Sequence, residues 1–318
     1  MKIKVPSLES LSNSGGGYTF IRNLEKGISQ FGHELVSEGD YDIFLIAGAT
    51  LCSHEEFDEA KKMGKPIILR VDGVLEDKMN RNTGMSRLKK FSKEATIVVF
   101  QTHWVKRTME AYCGQGMVIK NGVDLSIFKP REEKKNWDRL RVFYARHSRA
   151  ERKRFDEVVW FWREYNINRH HDTLVLAGKF GKENLDVNNP FEFHADEKFE
   201  YKGNIESPQE LADIMKNCDI AFLPYFAEPC SNLILEAQAC GLPVLFSPHG
   251  GSKEIVVNGR VIDWANEEPI QMVDKAIASS KANKANFRQE LEDEFSLETM
   301  CEQYNGLFLT LVDTEIQG

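Results

Sequence analysis

The stretch that decides the fold runs from Asp219 to Gly251, DIAFLPYFAEPCSNLILEAQACGLPVLFSPHGG. Ile220 to Leu223 is a short apolar run closed by Pro224, the pattern of a buried strand running into a loop. Ser231 and Asn232 are N-cap residue types, Leu233, Ile234, Leu235, Ala237 and Ala239 favour helix, and Gly241 with Pro243 stops it. A second apolar run follows at Val244 to Phe246. The unit is therefore strand, loop, helix, strand. In an α/β sheet such a loop lies at the carboxyl end of its strand, where ligands bind, and the helix start offers free N–H groups and positive dipole to an anion. A phosphate suits that position. Glu228 and Glu236 flank the helix start eight positions apart. A carboxylate is a pure acceptor, so Glu236 can take both hydroxyls of a ribose and Glu228 a sugar hydroxyl. Phosphate, diol and sugar hydroxyl together describe a nucleotide-sugar.

Working outward, the same alternation fills the chain. Lys2 to Val5, Asp42 to Ala47, Ile67 to Val71, Thr96 to Gln101 and Met117 to Lys120 read as strands, with helical segments near 17–31, 54–63, 85–94 and 103–113. The polar run REEKKNWDR (131–139) is the expected linker. Strand patterns resume at Leu140 to Ala145, Thr173 to Ala177, Phe199 to Lys202, Asp219 to Leu223 and Val244 to Phe246. Two series of βα units predict two doubly wound α/β domains, and 318 residues suffice for two of about 150 each. After Ser296, Leu297, Met300, Cys301, Tyr304, Phe308 and Leu311 recur at helical spacing, predicting a closing amphipathic helix.

Composition excludes several classes. No apolar run approaches the roughly 18 residues of a membrane span, and MKIKVPSLES lacks the apolar core of a signal peptide, so the expected location is cytoplasmic. The six cysteines are scattered without a CxxC pair or metal-like spacing, which predicts reduced thiols and no structural zinc. The net charge of −8 is uneven. Residues 1–130 carry 18 Lys/Arg against 16 Asp/Glu, and eight basic residues but only one acidic residue, Glu94, fall between Lys78 and Arg107. That stretch is either a solvated helix face or a contact for an anionic acceptor or membrane surface.

EPCSNLILE, with its loop-then-helix context, resembles the E-x7-E motif of retaining glycosyltransferases of glycosyltransferase family four. SGGGYTFIRNLEKGISQFGHEL (Ser14 to Leu35) resembles the family's glycine loop and first helix, NGVDLSIFKP (Asn121 to Pro130) its interdomain signature, and GGSKEIV (Gly250 to Val256) its late GG-x-x-E element. The resemblance implies a GT-B-like fold of two Rossmann-like domains facing a central cleft. Residues 1–130 would form an acceptor-side domain joined by helix 296–318, and 131–295 the nucleotide-sugar-binding domain. It implies transfer with retention from a nucleotide-diphospho-sugar co-substrate, with no cofactor and no enzyme nucleophile.

Residue by residue, the resemblance assigns Glu228 to the sugar and Gly16, Gly17, Cys230, Ser231, Asn232, Leu233 and Glu236 to the donor, with Cys230 serving through packing and its backbone. An Arg and a Lys at a strand–helix junction clamp the diphosphate in the family. Arg146 and Lys153 match, although at longer spacing than usual, so Arg149 and Arg152 stand as substitutes. Many members carry a histidine after the middle strand of the first domain, where this chain has Arg70-Val71-Asp72-Gly73. Asp72 there either bonds a sugar or acceptor hydroxyl or stabilises the turn before Gly73.

No metal is expected: Asp40-Tyr41-Asp42 has the DxD pattern but precedes its apolar run, as residues leading into a strand do, and cationic side chains can neutralise a diphosphate. A glycosidase-type pair is disfavoured, because eight residues of mostly helical rise separate the glutamates by about 12 Å, beyond the roughly 5–9.5 Å that such pairs use. The expected acceptor is a glycan or glycolipid hydroxyl, with a modified nucleic acid less favoured. A nucleotide-sugar epimerase of the same architecture is the alternative enzyme, and a non-catalytic nucleotide-sugar binder the alternative outside enzymes.

Overall fold

The computed structural model describes residues 1–10, 15–74, 82–132, 139–146, 150–167, 169, 171–180 and 198–316. Arg149, Lys78, Arg81 and most of the expected linker (133–138) lie outside these residues. The chain divides into two compact units, one of Met1–Val123, Pro229–Asn232 and Phe295–Gly318, the other of Asp124–Glu228 and Leu233–Glu294.

The first unit alternates β1 (Lys2–Lys4), α1 (Gly16–Ile28), β2 (Glu34–Val36), β3 (Ile43–Ile46), α2 (His54–Lys62), β4 (Ile67–Val71), α3 (Asn82–Glu94), β5 (Ile97–Phe100), α4 (His103–Cys113) and β6 (Gly116–Val118). All pair in parallel in the order β2-β1-β3-β4-β5-β6. The second continues with β7 (Arg141–Arg146), α5 (Phe155–Asn166), β8 (Thr173–Gly178), β9 (Phe199–Tyr201), α6 (Pro208–Lys216), β10 (Ile220–Leu223), α7 (Asn232–Ala239), β11 (Val244–Phe246), β12 (Gly259–Val261) and α8 (Pro269–Phe295). Its parallel sheet has the order β12-β11-β10-β7-β8-β9. The closing helix, α9, spans Leu297–Ile316.

Two strands, β2 and β12, have no counterpart in the sequence reading. Both are three-residue edge strands with little full burial, so neither carries the apolar run that marks the central strands. The expected separation of the glutamates also needs correction. Helix α7 starts only at Asn232, so half of the eight steps from Glu228 to Glu236 are loop and helical rise does not measure them.

Ser296 caps α9 by accepting the Thr299 N–H at 3.1 Å. Within the first unit α9 lies against α1, and Phe20, Ile21, Leu24 and Ile28 share one core with Leu297, Met300, Cys301, Tyr304 and Phe308. Gly27 permits this approach, since a Cβ there would stand 2.5 Å from the Cys301 sulfur.

In each sheet the chain winds one way and then the other, reversing between β1 and β3 in the first and between β7 and β10 in the second. Ligands of doubly wound sheets bind beyond the carboxyl ends of strands at that reversal, because diverging loops leave a crevice there. The backbone marks the same places. The three non-glycine residues with left-handed φ among the described residues, Ser7, Arg154 and Ala227, follow β1, β7 and β10 respectively.

Candidate functional site

At the reversal of the second sheet, the loops after β7 and β10 bring opposite charges together. The loop after β7 passes through a short 3₁₀ turn, Glu151–Lys153, and reaches α5 through Arg154 in the left-handed conformation (φ 53°). This turn presents Arg152 and Lys153 side by side. The loop after β10 carries Ala227 (φ 50°) and Glu228. One carboxylate oxygen of Glu228 accepts from Arg152 at 2.5 Å and from Lys153 at 3.0 Å. The Phe226 N–H joins the loops by donating to the Arg152 carbonyl at 2.8 Å.

The glycine pair near Gly250 has a definite task. Ala227 N–H donates to the His249 carbonyl, Gly251 N–H donates to the Glu228 carbonyl, and Glu228 bridges Gly250 in parallel. A Cβ on Gly250 would lie 2.9 Å from the Glu228 nitrogen, and its φ of 124° is itself a glycine conformation. The late GG element thus clamps the Glu228 backbone.

Two tyrosines form the floor. Tyr144 donates to the Lys153 carbonyl at 3.0 Å, and the Lys153 ammonium stands 4.0 Å from the centre of the Tyr225 ring. Tyr225 donates to the Ala145 carbonyl. Its phenol is pushed well above its ordinary value, first by burial and then by the negative potential of Tyr144, Glu228 and Glu236. Burial pulls the Lys153 ammonium below its ordinary value of 10.5; Glu228 opposes that and Arg152 adds to it. A buried lysine drawn down in this way gains from a nearby anion.

Arg146, at the end of β7, is 5% exposed and lies between aromatic faces, its guanidinium 4.7 Å from the Phe155 ring centre and 4.3 Å from that of Phe180. Its Nε donates to the Lys179 carbonyl at 3.2 Å. Glu236 is buried at 9% exposure in the second turn of α7, and Leu233 is buried in the first. Cys230 and Ser231 are buried too. The Cys230 backbone acts as an acceptor, its carbonyl taking a bond from Asn121.

In the first unit, Gly16 and Gly17 open α1 after Gly15, whose φ of 142° requires glycine. A Cβ on Gly17 would meet the tip of Leu51 at 2.7 Å, while Gly16 faces open space among the described residues. Asp72 follows β4 with its carboxylate against Gly48, where a Cβ would lie 2.3 Å from Oδ2. Asp42 accepts from the Lys2 N–H at 2.8 Å immediately before β3. Arg152, Tyr144 and Tyr225 are what residue-by-residue matching underused. The signal was there in Arg152 beside Lys153 and in a tyrosine on each of the two central strands or their ends.

Residues 139–279 match the family described as Glycosyl transferases group 1. The fold is GT-B-like. Over 98% of this chain it superposes on all of Anabaena HepE, solved with UDP and glucose, with a TM-score of 0.75 at 16% identity. Over 99% it superposes on all of a sucrose-phosphate synthase from Thermosynechococcus elongatus, with a TM-score of 0.73 at 15% identity. In sequence, the chain is 25% identical over 195 residues to a glycogen synthase of Mycobacterium tuberculosis, covering 58% of this chain and 46% of that protein. It is 28% identical over 109 residues to a D-inositol 3-phosphate glycosyltransferase of Rhodococcus erythropolis, covering 31% and 25%. The chain thus spans less than half the length of these curated relatives.

Proposed function

We propose that this protein is a retaining glycosyltransferase that moves a sugar from a nucleotide-diphospho-sugar to a hydroxyl acceptor without a metal ion. The observation that carries the reading is the Glu228–Arg152–Lys153 cluster at the sheet reversal, inside the segment matched by the glycosyl transferases group 1 family. A departing diphosphate needs positive charge where negative charge develops, and Arg152 and Lys153, backed by Arg146 and the start of α7, supply it. Arg149 is a further donor contact by resemblance.

Glu228 pairs with both cations. When the diphosphate takes them over, the carboxylate is released toward the sugar, where it aligns a hydroxyl. Glu236 takes the ribose diol. Retention follows if the diphosphate draws the acceptor proton on the same face of the sugar, so that no enzyme carboxylate forms a bond. Cys230, Ser231, Asn232 and Leu233 shape the donor pocket, while Gly16, Gly17 and Asp72 are assigned by resemblance alone. Residues 1–130 with 296–318 serve the acceptor and 131–295 the donor. The UDP and UDP-glucose complexes of HepE make uridine nucleotides the first donors to test.

A glycan or glycolipid hydroxyl is the acceptor we favour, used in the cytoplasm or at a membrane surface. No helix among the described residues is long and apolar enough to cross a membrane. Lys90 is paired with Asp58 at 2.8 Å, and the exposed Lys89 and Lys93 are the contacts we favour for an anionic acceptor or lipid headgroups.

The test is calorimetric titration of UDP, ADP and GDP and their sugars, with transfer followed in excess chelator. One nucleotide should bind, and Glu236→Ala should weaken it by roughly 1.5–3 kcal/mol, the loss of hydrogen bonds to a charged acceptor. Binding of no nucleotide, or turnover that collapses on chelation and returns with Mg²⁺, would overturn the reading.

A further inference from the structure

The first unit contains a buried cation that the proposed chemistry does not use. Arg70, in β4, is 1% exposed, and no carboxylate among the described residues pairs with it. Its Nη1 donates to the Ala47 carbonyl at 2.8 Å and its Nη2 to Asn121 Oδ1 at 2.7 Å. The guanidinium carbon stands 4.1 Å from the Phe20 ring centre, and Nε is buried without a partner. Burying a charge without a counter-ion costs several kcal/mol. An apolar side chain would fill a strand position at less cost, so the guanidinium's particular chemistry needs a reason.

Hydrogen-bond direction supplies one. A guanidinium only donates, so the atom of Asn121 facing it must be the amide oxygen. The Asn121 amide nitrogen is then fixed on the opposite side, where it donates to the Cys230 carbonyl at 3.1 Å and to Asn232 Oδ1 at 2.8 Å. Thr102 adds a third tie within the same unit, donating to the Pro229 carbonyl at 3.1 Å. Every residue of Pro229–Asn232 except Ser231 is held in this way, and this is the segment that joins Glu228 to the helix carrying Glu236.

We propose that Arg70 is a positioning residue: it locks the orientation of the Asn121 amide and thereby fixes the Pro229–Asn232 segment between the two glutamates. Its effect on turnover rests on the glycosyltransferase reading of that segment, whereas its effect on the segment itself does not.

Asn121→Asp separates orientation from stability. The aspartate keeps an acceptor for Arg70, giving it the counter-ion it lacks, but has no N–H for Cys230 or Asn232. Thermal stability should hold or rise. Amide exchange over 229–236 should quicken on the order of 30-fold, the loss of about two neutral hydrogen bonds, and transfer should fall with it. Arg70→Met should quicken exchange in the same peptide, and Arg70→Lys, too short to span both acceptors, should fall between. If Arg70→Met does not fold, Asn121→Asp carries the test. Unchanged exchange over 229–236 in a folded Asn121→Asp protein would overturn the proposal. Quickened exchange in a protein that binds neither UDP, ADP nor GDP would leave it standing and overturn the donor-site reading instead.

Discussion

Three clusters among the described residues of the second unit join one glutamate to one arginine and one lysine; Glu267 with Arg260 and Lys275 is one, and the other two, at Glu200 and Glu228, differ in pairing geometry, exposure and backbone. Glu200 accepts bidentately from Arg141 at 2.8 and 2.9 Å and pairs with Lys202 at 2.8 Å. Its side chain is 39% exposed, and its backbone lies in the regular strand β9. Arg141 and Lys202 hold its carboxyl at about 2, with burial opposing them. Glu228 offers a single oxygen to Arg152 and Lys153, is 14% exposed, and hangs from left-handed Ala227 opposite left-handed Arg154.

The Glu200 cluster lines a groove of about 740 Å³ with Ser207, Asp213 and Asn217, yet its fork-to-fork pairing leaves the charges satisfied. Backbone strain accumulates where a structure must hold side chains in a functional arrangement, and saturated ion pairs on regular strands have no such need.

The largest expected effect falls on Glu228. Glu228→Gln should cut turnover on the order of 100-fold, the scale seen when one group preorganised for a transition state is removed. Nucleoside diphosphate affinity should hold or tighten, because Arg152 and Lys153 lose their resident anion. Weaker nucleotide binding with normal turnover would overturn the role given to Glu228.

Lys153 gives a pH signature. Its ammonium is the form that binds an anion, and its value lies below 10.5, so donor affinity should fall as pH rises through a point on the acid side of ordinary lysine. Lys153→Arg should abolish that alkaline limb. For stability the sign is opposite: a lowered lysine value imposes a penalty at low pH that fades as pH climbs from the folded value toward 10.5. A limb that persists in the arginine variant belongs to another group.

Strain is tested by Ala227→Gly. Left-handed geometry costs a β-carbon residue about 1–2 kcal/mol, and glycine's extra unfolded-state freedom returns part of that. Thermal unfolding should shift upward by the equivalent of about 0.5–1 kcal/mol, with transfer reduced several-fold as the Glu228 loop relaxes. A more stable variant with intact transfer would show the strain to be incidental.

The smallest effect belongs to Glu200→Gln, with transfer unchanged. Its carboxyl is held down to about 2 from 4.5, so the native pair stabilises above 4.5 and that contribution disappears as pH falls to about 2. Because the side chain is more than a third exposed, the loss should stay below about 1 kcal/mol. Acid unfolding curves of the two proteins should converge near pH 2.

The sequence by itself determined the two parallel sheets, because central strands such as β3 and β10 are continuous apolar runs and apolar burial on both faces requires them, with Arg70 the one charge inside β4. It also determined the strand–loop–helix around Glu228 and Glu236, whose cap, stop and turn signals are local. Edge strands β2 (ELV) and β12 (GRV) were illegible because a charged residue and, in β12, a glycine leave no apolar run of strand length. Only tertiary structure decided that Arg152 joins Lys153 on Glu228, 75 and 76 residues away in the chain. It alone placed Arg146 between two aromatic rings and buried Arg70 against Asn121. The pattern of residue types along a chain records what each segment buries. Which charge meets which depends on strand order and on the left-handed turns at the sheet reversal, and neither is written in the spacing of the residues that meet.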